Sequence, residues 1–188
     1  MSKNFGENDL RMLAESLSNV QSKAENITLA FVNRTYISVR GQEYGLHGVA
    51  RRISVLARSI EQIFRILPPE FDGIPERNVL LDTTIFAQAF VFNTFGILDN
   101  LAYVWVSEKN VKNRNGHPLP NGRIGLTKDK EQVRSSFSPS MQTYLSSLDP
   151  WFENLESYRH SLGHRIPLYI PPYTVDPMNE NRYRELDA

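Results

Sequence analysis

The chain contains no cysteine, which excludes disulfide cross-links, thiolate metal sites and a cysteine nucleophile together. It carries no net charge either, because 21 Lys and Arg balance 21 Asp and Glu over 188 residues. A whole-molecule field that gathers nucleic acid or anionic membrane is therefore missing, and any phosphate recognition has to be local. The opening MSKNFGENDL lacks the apolar segment of a secretory signal, so a cytoplasmic location is expected. The most apolar stretch, Ile85 to Val106, is interrupted by Gln88, Asn93, Asp99 and Asn100. A carboxylate at mid-bilayer is costly, so this stretch reads as a buried helix and no membrane is expected as a partner. There is no G-x-G-x-x-G, G-K-[ST] or G-x-S-x-G pattern, which leaves dinucleotide, P-loop and triad chemistry without support.

What is present favours helices. Apolar residues make up 40% of the chain and aromatics 11%, enough for one main core in a chain of this length. Leu10, Leu13, Leu17, Val20, Ala24 and Ile27 recur at steps of three and four, predicting an amphipathic helix that packs on its own core or pairs with a second helix. Residues 31–40 fit strand or helix, and Gly41, Gly45 and Gly48 predict a flexible join. A second stripe runs from Leu46 through Val49, Ile53, Leu56 and Ile60 to Leu67 and stops at Pro68-Pro69. Asp82 or Thr83 is expected to cap a long central helix reaching Val106.

Residues 107–128 are rich in Asn, Gly and Pro and read as a long loop or short hairpin, too polar for a core. Between Glu108 and Arg134, seven Lys and Arg face three acids, which suits a solvated loop or a nucleic-acid contact. Two short helices follow, over 127–137 and 139–148. Asp149-Pro150 then predicts the start of a last long helix with Trp151, Phe152, Leu155, Tyr158 and Leu162 on its apolar face and Gly163 as its stop. Three prolines require residues 166–173 to be extended. The expected organisation is an all-α protein with a helical extension at 1–40, a helical domain at 41–166, and an extended arm and tail at 167–188.

Histidine is scarce, and two of the four, at 47, 117, 160 and 164, fall within Tyr158-Arg159-His160-Ser161-Leu162-Gly163-His164-Arg165. A guanidinium fork suits phosphate oxygens, and an imidazole moves protons near neutral pH. Together they suit metal-free phosphodiester cleavage. Arg159, four residues and His164, with a polar residue directly after the arginine, resembles the marker of the HEPN family of all-helical domains. That resemblance implies a HEPN-like helical bundle and a metal-independent endoribonuclease that attacks through the RNA 2′-hydroxyl. It also implies a homodimer with a composite cleft and, as a protein partner, an antitoxin in toxin–antitoxin or defence systems. Arg159 and His164 would be catalytic and His160 would support them, with no cofactor and no metal. A non-catalytic HEPN-like module that binds RNA, nucleotide or protein is the alternative.

Arg40 and His47 also fit the spacing, but the three glycines beside them argue against a helix end there. His160 and His164 stand four apart, the spacing of a two-histidine metal pair without a carboxylate. Arg159 could instead cap carbonyls or pair with Glu153 or Glu156, with the histidines beneath Tyr169 or Tyr173. On an ideal helix Arg159 and His164 are turned apart by roughly 140°. A break at Gly163 or a second chain would have to bring them together. Asn93 and Asn100, aligned at seven residues with Asp99 nearby, are expected either to line the cleft of Arg159 as supporting residues or to be satisfied buried amides.

Overall fold

A computed structural model describes residues 5–171 of the protein. Its elements are α1 (Glu7–Ser18), α2 (Val20–Val32), α3 (Val39–Glu43), a π-helix (Tyr44–Ala50), α4 (Arg51–Ile66), α5 (Arg77–Glu108), a short 3-10 turn (Asn121–Arg123), α6 (Glu131–Arg134), α7 (Pro139–Ser147) and α8 (Asp149–His164). Among the described residues there is no strand, only an isolated bridge between Lys112 and Pro118. The protein is all-α.

The first stripe forms two helices, because Asn19 interrupts them with φ −94° and ψ −5°. Neither contains a fully buried residue. Leu10, Leu13, Leu17, Val20 and Ala24 are half-buried and Ile27 is exposed. α2 packs on the π-helix and α4, and residues 33–38 form a loop in which the Tyr36 hydroxyl donates to the Phe31 carbonyl at 2.8 Å.

The expected flexible join at Gly41, Gly45 and Gly48 is corrected, for α3, the π-helix and α4 follow one another without a break. These glycines serve close packing. A Cβ at Gly41 would run into the Glu108 carboxylate, and one at Gly48 would stand 2.5 Å from Asn100 Nδ2. Glycine removes the side chain that would hold the helix away from α5.

α4 ends at Ile66, before Pro68-Pro69. α5 is the spine, on which α3, α4, the π-helix and α8 all pack. It starts at Arg77, with Glu76 at the N-cap position, so neither Asp82 nor Thr83 caps it. Asp82 is exposed, and the Thr83 hydroxyl bonds within the helix to the Val79 carbonyl at 2.7 Å. By length and composition α5 could cross a membrane, though the same helix carries the packing of this core.

The main cluster joins Ala102 and Val106 of α5 to Leu119, Ile124, Leu126, Val133, Leu145 and Phe152. The polar stretch 107–128 therefore supplies three core side chains, contrary to its composition. Its tip turns through Gly116 at φ +79°, where glycine is favoured. Of the predicted short helices, the first shrinks to the four residues of α6, while α7 starts at Pro139 with the Ser138 hydroxyl as its cap.

Asp149 does not cap α8. It is the first helical residue, after Leu148, and accepts a forked ion pair from Arg134 instead. Phe152 and Leu155 are buried, but Trp151 and Tyr158 of the expected apolar face are exposed. Gly163 does not stop the helix, which runs on to His164. Residues 167–171 belong to no helix or strand and lie along α5, with Gln88 Nε2 donating to the Leu168 carbonyl at 2.7 Å and the Ile170 amide reaching Thr84 Oγ1 at 3.4 Å. Tyr173 and the polar tail lie outside the described residues.

Candidate functional site

Arg159 points from α8 toward α5. Its guanidinium carbon lies 4.4 Å from the centroid of the Phe95 ring, a cation–π arrangement that fixes the fork without a hydrogen bond. It lines a cleft of about 240 Å³ with Asp99, Tyr103, Lys130 and Glu156. Burial raises the carboxyl of Asp99 above its usual range, and the nearby Arg159, Arg52 and Lys130 offset this only in part. The cleft thus pairs cations with a carboxyl that gives up its proton reluctantly.

His160 and His164 occupy the outer side of the same helix. Both are exposed, with ring centroids 6.2 Å apart. His160 Nε2 lies 3.8 Å from Glu156 Oε1, one helical turn away. Among the described residues no group of three His, Asp or Glu side chains could hold a metal ion. Because α8 is continuous through Gly163, Arg159 and His164 remain turned apart by roughly 140° within one chain.

Asn93 and Asn100 do not share the cleft of Arg159. They face the opposite flank of α5, toward α4, where Arg52 Nη1 donates to Asn93 Oδ1 at 3.0 Å and Asn93 Nδ2 donates to the Ala89 carbonyl at 2.8 Å. Asn100 sits against Gly48. These two amides line a second cleft, of about 410 Å³, together with Glu43, Tyr44, His47, Arg51 and Arg52. Of the six candidate residues, then, Arg159 and Asp99 share one cleft, Asn93 and Asn100 share another, and the two histidines lie on the surface.

His47, Arg51 and Arg52 are the polar site residues that sequence reasoning passed over. The signal for His47 was the Arg40 to His47 spacing, and the glycines that argued against it lie inside a continuous helix; Arg51 and Arg52 fall opposite the apolar stripe of α4 and carried no other signal. Arg40 itself stacks 5.2 Å from the Tyr103 ring centroid and bonds Asn121 Oδ1 at 3.1 Å. Four of the seven cations of the basic segment 108–134 are engaged internally. Lys128 pairs with Glu153, Lys130 with Asp129 and Arg134 with Asp149, while Lys109 lies over Trp105.

No protein-family model, curated protein or solved structure matches the chain.

Proposed function

We propose that the protein is a HEPN-like helical domain and a metal-independent endoribonuclease whose site is completed by a second copy of the chain. The supporting observation is the divergence of Arg159 and His164 on one helix beside an uncovered apolar strip. Leu81, Ile85 and Phe92 recur on one side of α5 and are 51%, 61% and 45% exposed. The arm that lies along α5 exposes Ile166 and Tyr169 as well. Apolar strips of this kind mark protein contacts. A two-fold contact there would offer the His164 of one copy to the Arg159 cleft of the other.

In such a site His164 takes the proton of the RNA 2′-hydroxyl, whose oxygen bonds to phosphorus as the bond to the 5′-oxygen breaks. His164 then gives the proton it took to the departing 5′-oxygen, which leaves a 2′,3′-cyclic phosphate and a free 5′-hydroxyl. Arg159 offsets the charge that grows on the phosphoryl oxygens. RNA incubated in EDTA should be cut to cyclic-phosphate ends, and Arg159→Ala and His164→Ala should each abolish cutting while remaining folded. Wild-type cutting by both variants would end the assignment.

One observation favours a non-catalytic binding module instead: Arg159 is already engaged by Phe95 and faces Asp99. RNA bound tightly with no turnover would select that reading.

A further inference from the structure

The cleft on the α4 side of α5 has the composition of an anion site. The π-helix that forms its wall runs for seven residues. Such stretches are rare, stay short and recur at functional sites, because the wider turn re-aims side chains that an α-helix would send elsewhere. Here the segment carries His47, and Arg51 and Arg52 follow at the start of α4. Gly48 lets Asn100 approach the helix axis at this point.

Charge in the cleft is positive. Beside the His47 imidazole, two guanidinium groups outnumber the one lining carboxylate, Glu43, with Asp99 acting on Arg52 from the neighbouring cleft, in a protein with no net charge. These groups also have donors to spare. Arg52 commits Nη1 to Asn93, and among the described residues Arg51, His47 and Asn100 have no side-chain hydrogen bond or ion pair.

We propose that the cleft lined by His47, Arg51, Arg52 and Asn100 is a phosphoryl-binding site, separate from the cleft of Arg159. The forks of Arg51 and Arg52 match phosphate oxygens, and the Asn100 amide and the His47 ring supply further donors. The open form and the volume of about 410 Å³ admit a phosphorylated small molecule or one nucleotide of a strand, and both present the same phosphoryl chemistry.

Calorimetric titration of the full chain with inorganic pyrophosphate, and separately with an uncleavable 2′-O-methyl tetranucleotide, tests the site and separates the two sources. Saturable binding of pyrophosphate supports a free phosphorylated ligand, and binding of the tetranucleotide alone supports a strand. In either case Arg51→Gln should weaken binding roughly tenfold, His47→Asn should weaken it less, and Glu43→Gln should tighten it. Arg51 is exposed and has no partner among the described residues, so its variant should fold, and an unchanged thermal midpoint will show this. Arg58→Gln, at an exposed arginine of α4 that lines neither cleft, should leave the titration unaltered. The assignment is overturned if neither probe binds, if Arg51→Gln binds like wild type, or if Arg58→Gln weakens binding as much as Arg51→Gln does.

Discussion

Glu108, the last residue of α5, accepts hydrogen bonds from the backbone amides of Ile37 and Ser38, each at 3.0 Å, and from the Ser38 hydroxyl at 3.0 Å. The end of the spine thereby holds the start of α3. Burial works against its charge, yet these bonds outweigh burial and hold the carboxyl below its ordinary value of 4.5. A carboxyl shifted down binds its proton less readily in the folded chain. Its stabilising contribution is therefore full above about pH 4.5 and is lost as pH falls through the folded value. Glu108→Gln should cost about 1.5–3 kcal/mol near neutral pH. Urea denaturation at pH 7 and at pH 3 checks this, and the gap between variant and wild type should narrow at the lower pH.

Gly41→Ala reports on the same contact with an opposite baseline. In an ordinary helix interior alanine gains about 1 kcal/mol over glycine. Here the new methyl would strike the Glu108 carboxylate and stand 2.8 Å from Ser38 Oγ. A net loss of about 1–3 kcal/mol is expected, and a stabilised variant would show that the end of α5 can move aside.

The carboxyl of Asp99 behaves in the opposite sense to that of Glu108. Burial raises it, so the folded chain holds this proton more tightly than the unfolded chain does. Stability should fall as pH rises from the ordinary value of 3.8 toward the raised one. Asp99→Asn should remove that part of the decline and leave the protein at least as stable at pH 7. A steeper decline in the variant would mean that the carboxylate is bound favourably by Arg159.

Arg134 links three segments, since Nε donates to the Leu126 carbonyl at 2.8 Å while both terminal nitrogens grip Asp149. Its side chain is only 11% exposed. Arg134→Ala should cost about 2–4 kcal/mol, because it leaves Asp149 without its partner. Arg134→Lys should recover less than half, since an ammonium cannot reproduce the fork. Denaturation midpoints at pH 7 measure both.

Mixing two inactive variants distinguishes a composite site from one built in a single chain. If Arg159 and His164 act across a dimer, equal amounts of Arg159→Ala and His164→Ala should regain roughly a quarter of wild-type ribonuclease activity, by the statistics of exchange in a two-fold dimer. No recovery after proven subunit exchange would place both residues of a working site in one chain.

Much of the helical layout could be read from periodicity. The stripe from Leu46 and the stop at Pro68-Pro69 are local signals, and so are the start of α7 at Pro139 and the end of α5 near Val106. What escaped was decided by neighbours distant in sequence. Gly41 and Gly48 look like breaks until Glu108 and Asn100 are seen against them. Asp149 looks like a cap until Arg134 is seen to take it. Leu119, Ile124 and Leu126 lie in a polar stretch, and only the packing of α5 and α8 makes them core. The six-residue marker on α8 could be read directly, but the division of the polar residues of α5 between two clefts could not. A seven-residue spacing says that Asn93 and Asn100 share a face, and not which helix that face meets.

Burial along α5 is uneven. Five of its six fully buried residues fall between Ile97 and Glu108, and Thr83 is the sixth. At 1.5 Å per residue the helix is about 48 Å long, and it is anchored more firmly at its C-terminal end than at its start. Amide hydrogens should exchange most slowly over its last three turns and faster before Phe92, where α4 and the arm cover the helix but Thr83 alone is fully buried. Anything that settles on the apolar strip would stiffen the less buried half. Both clefts draw on α5 residues between Asn93 and Tyr103, where the less buried half of the helix meets the anchored one.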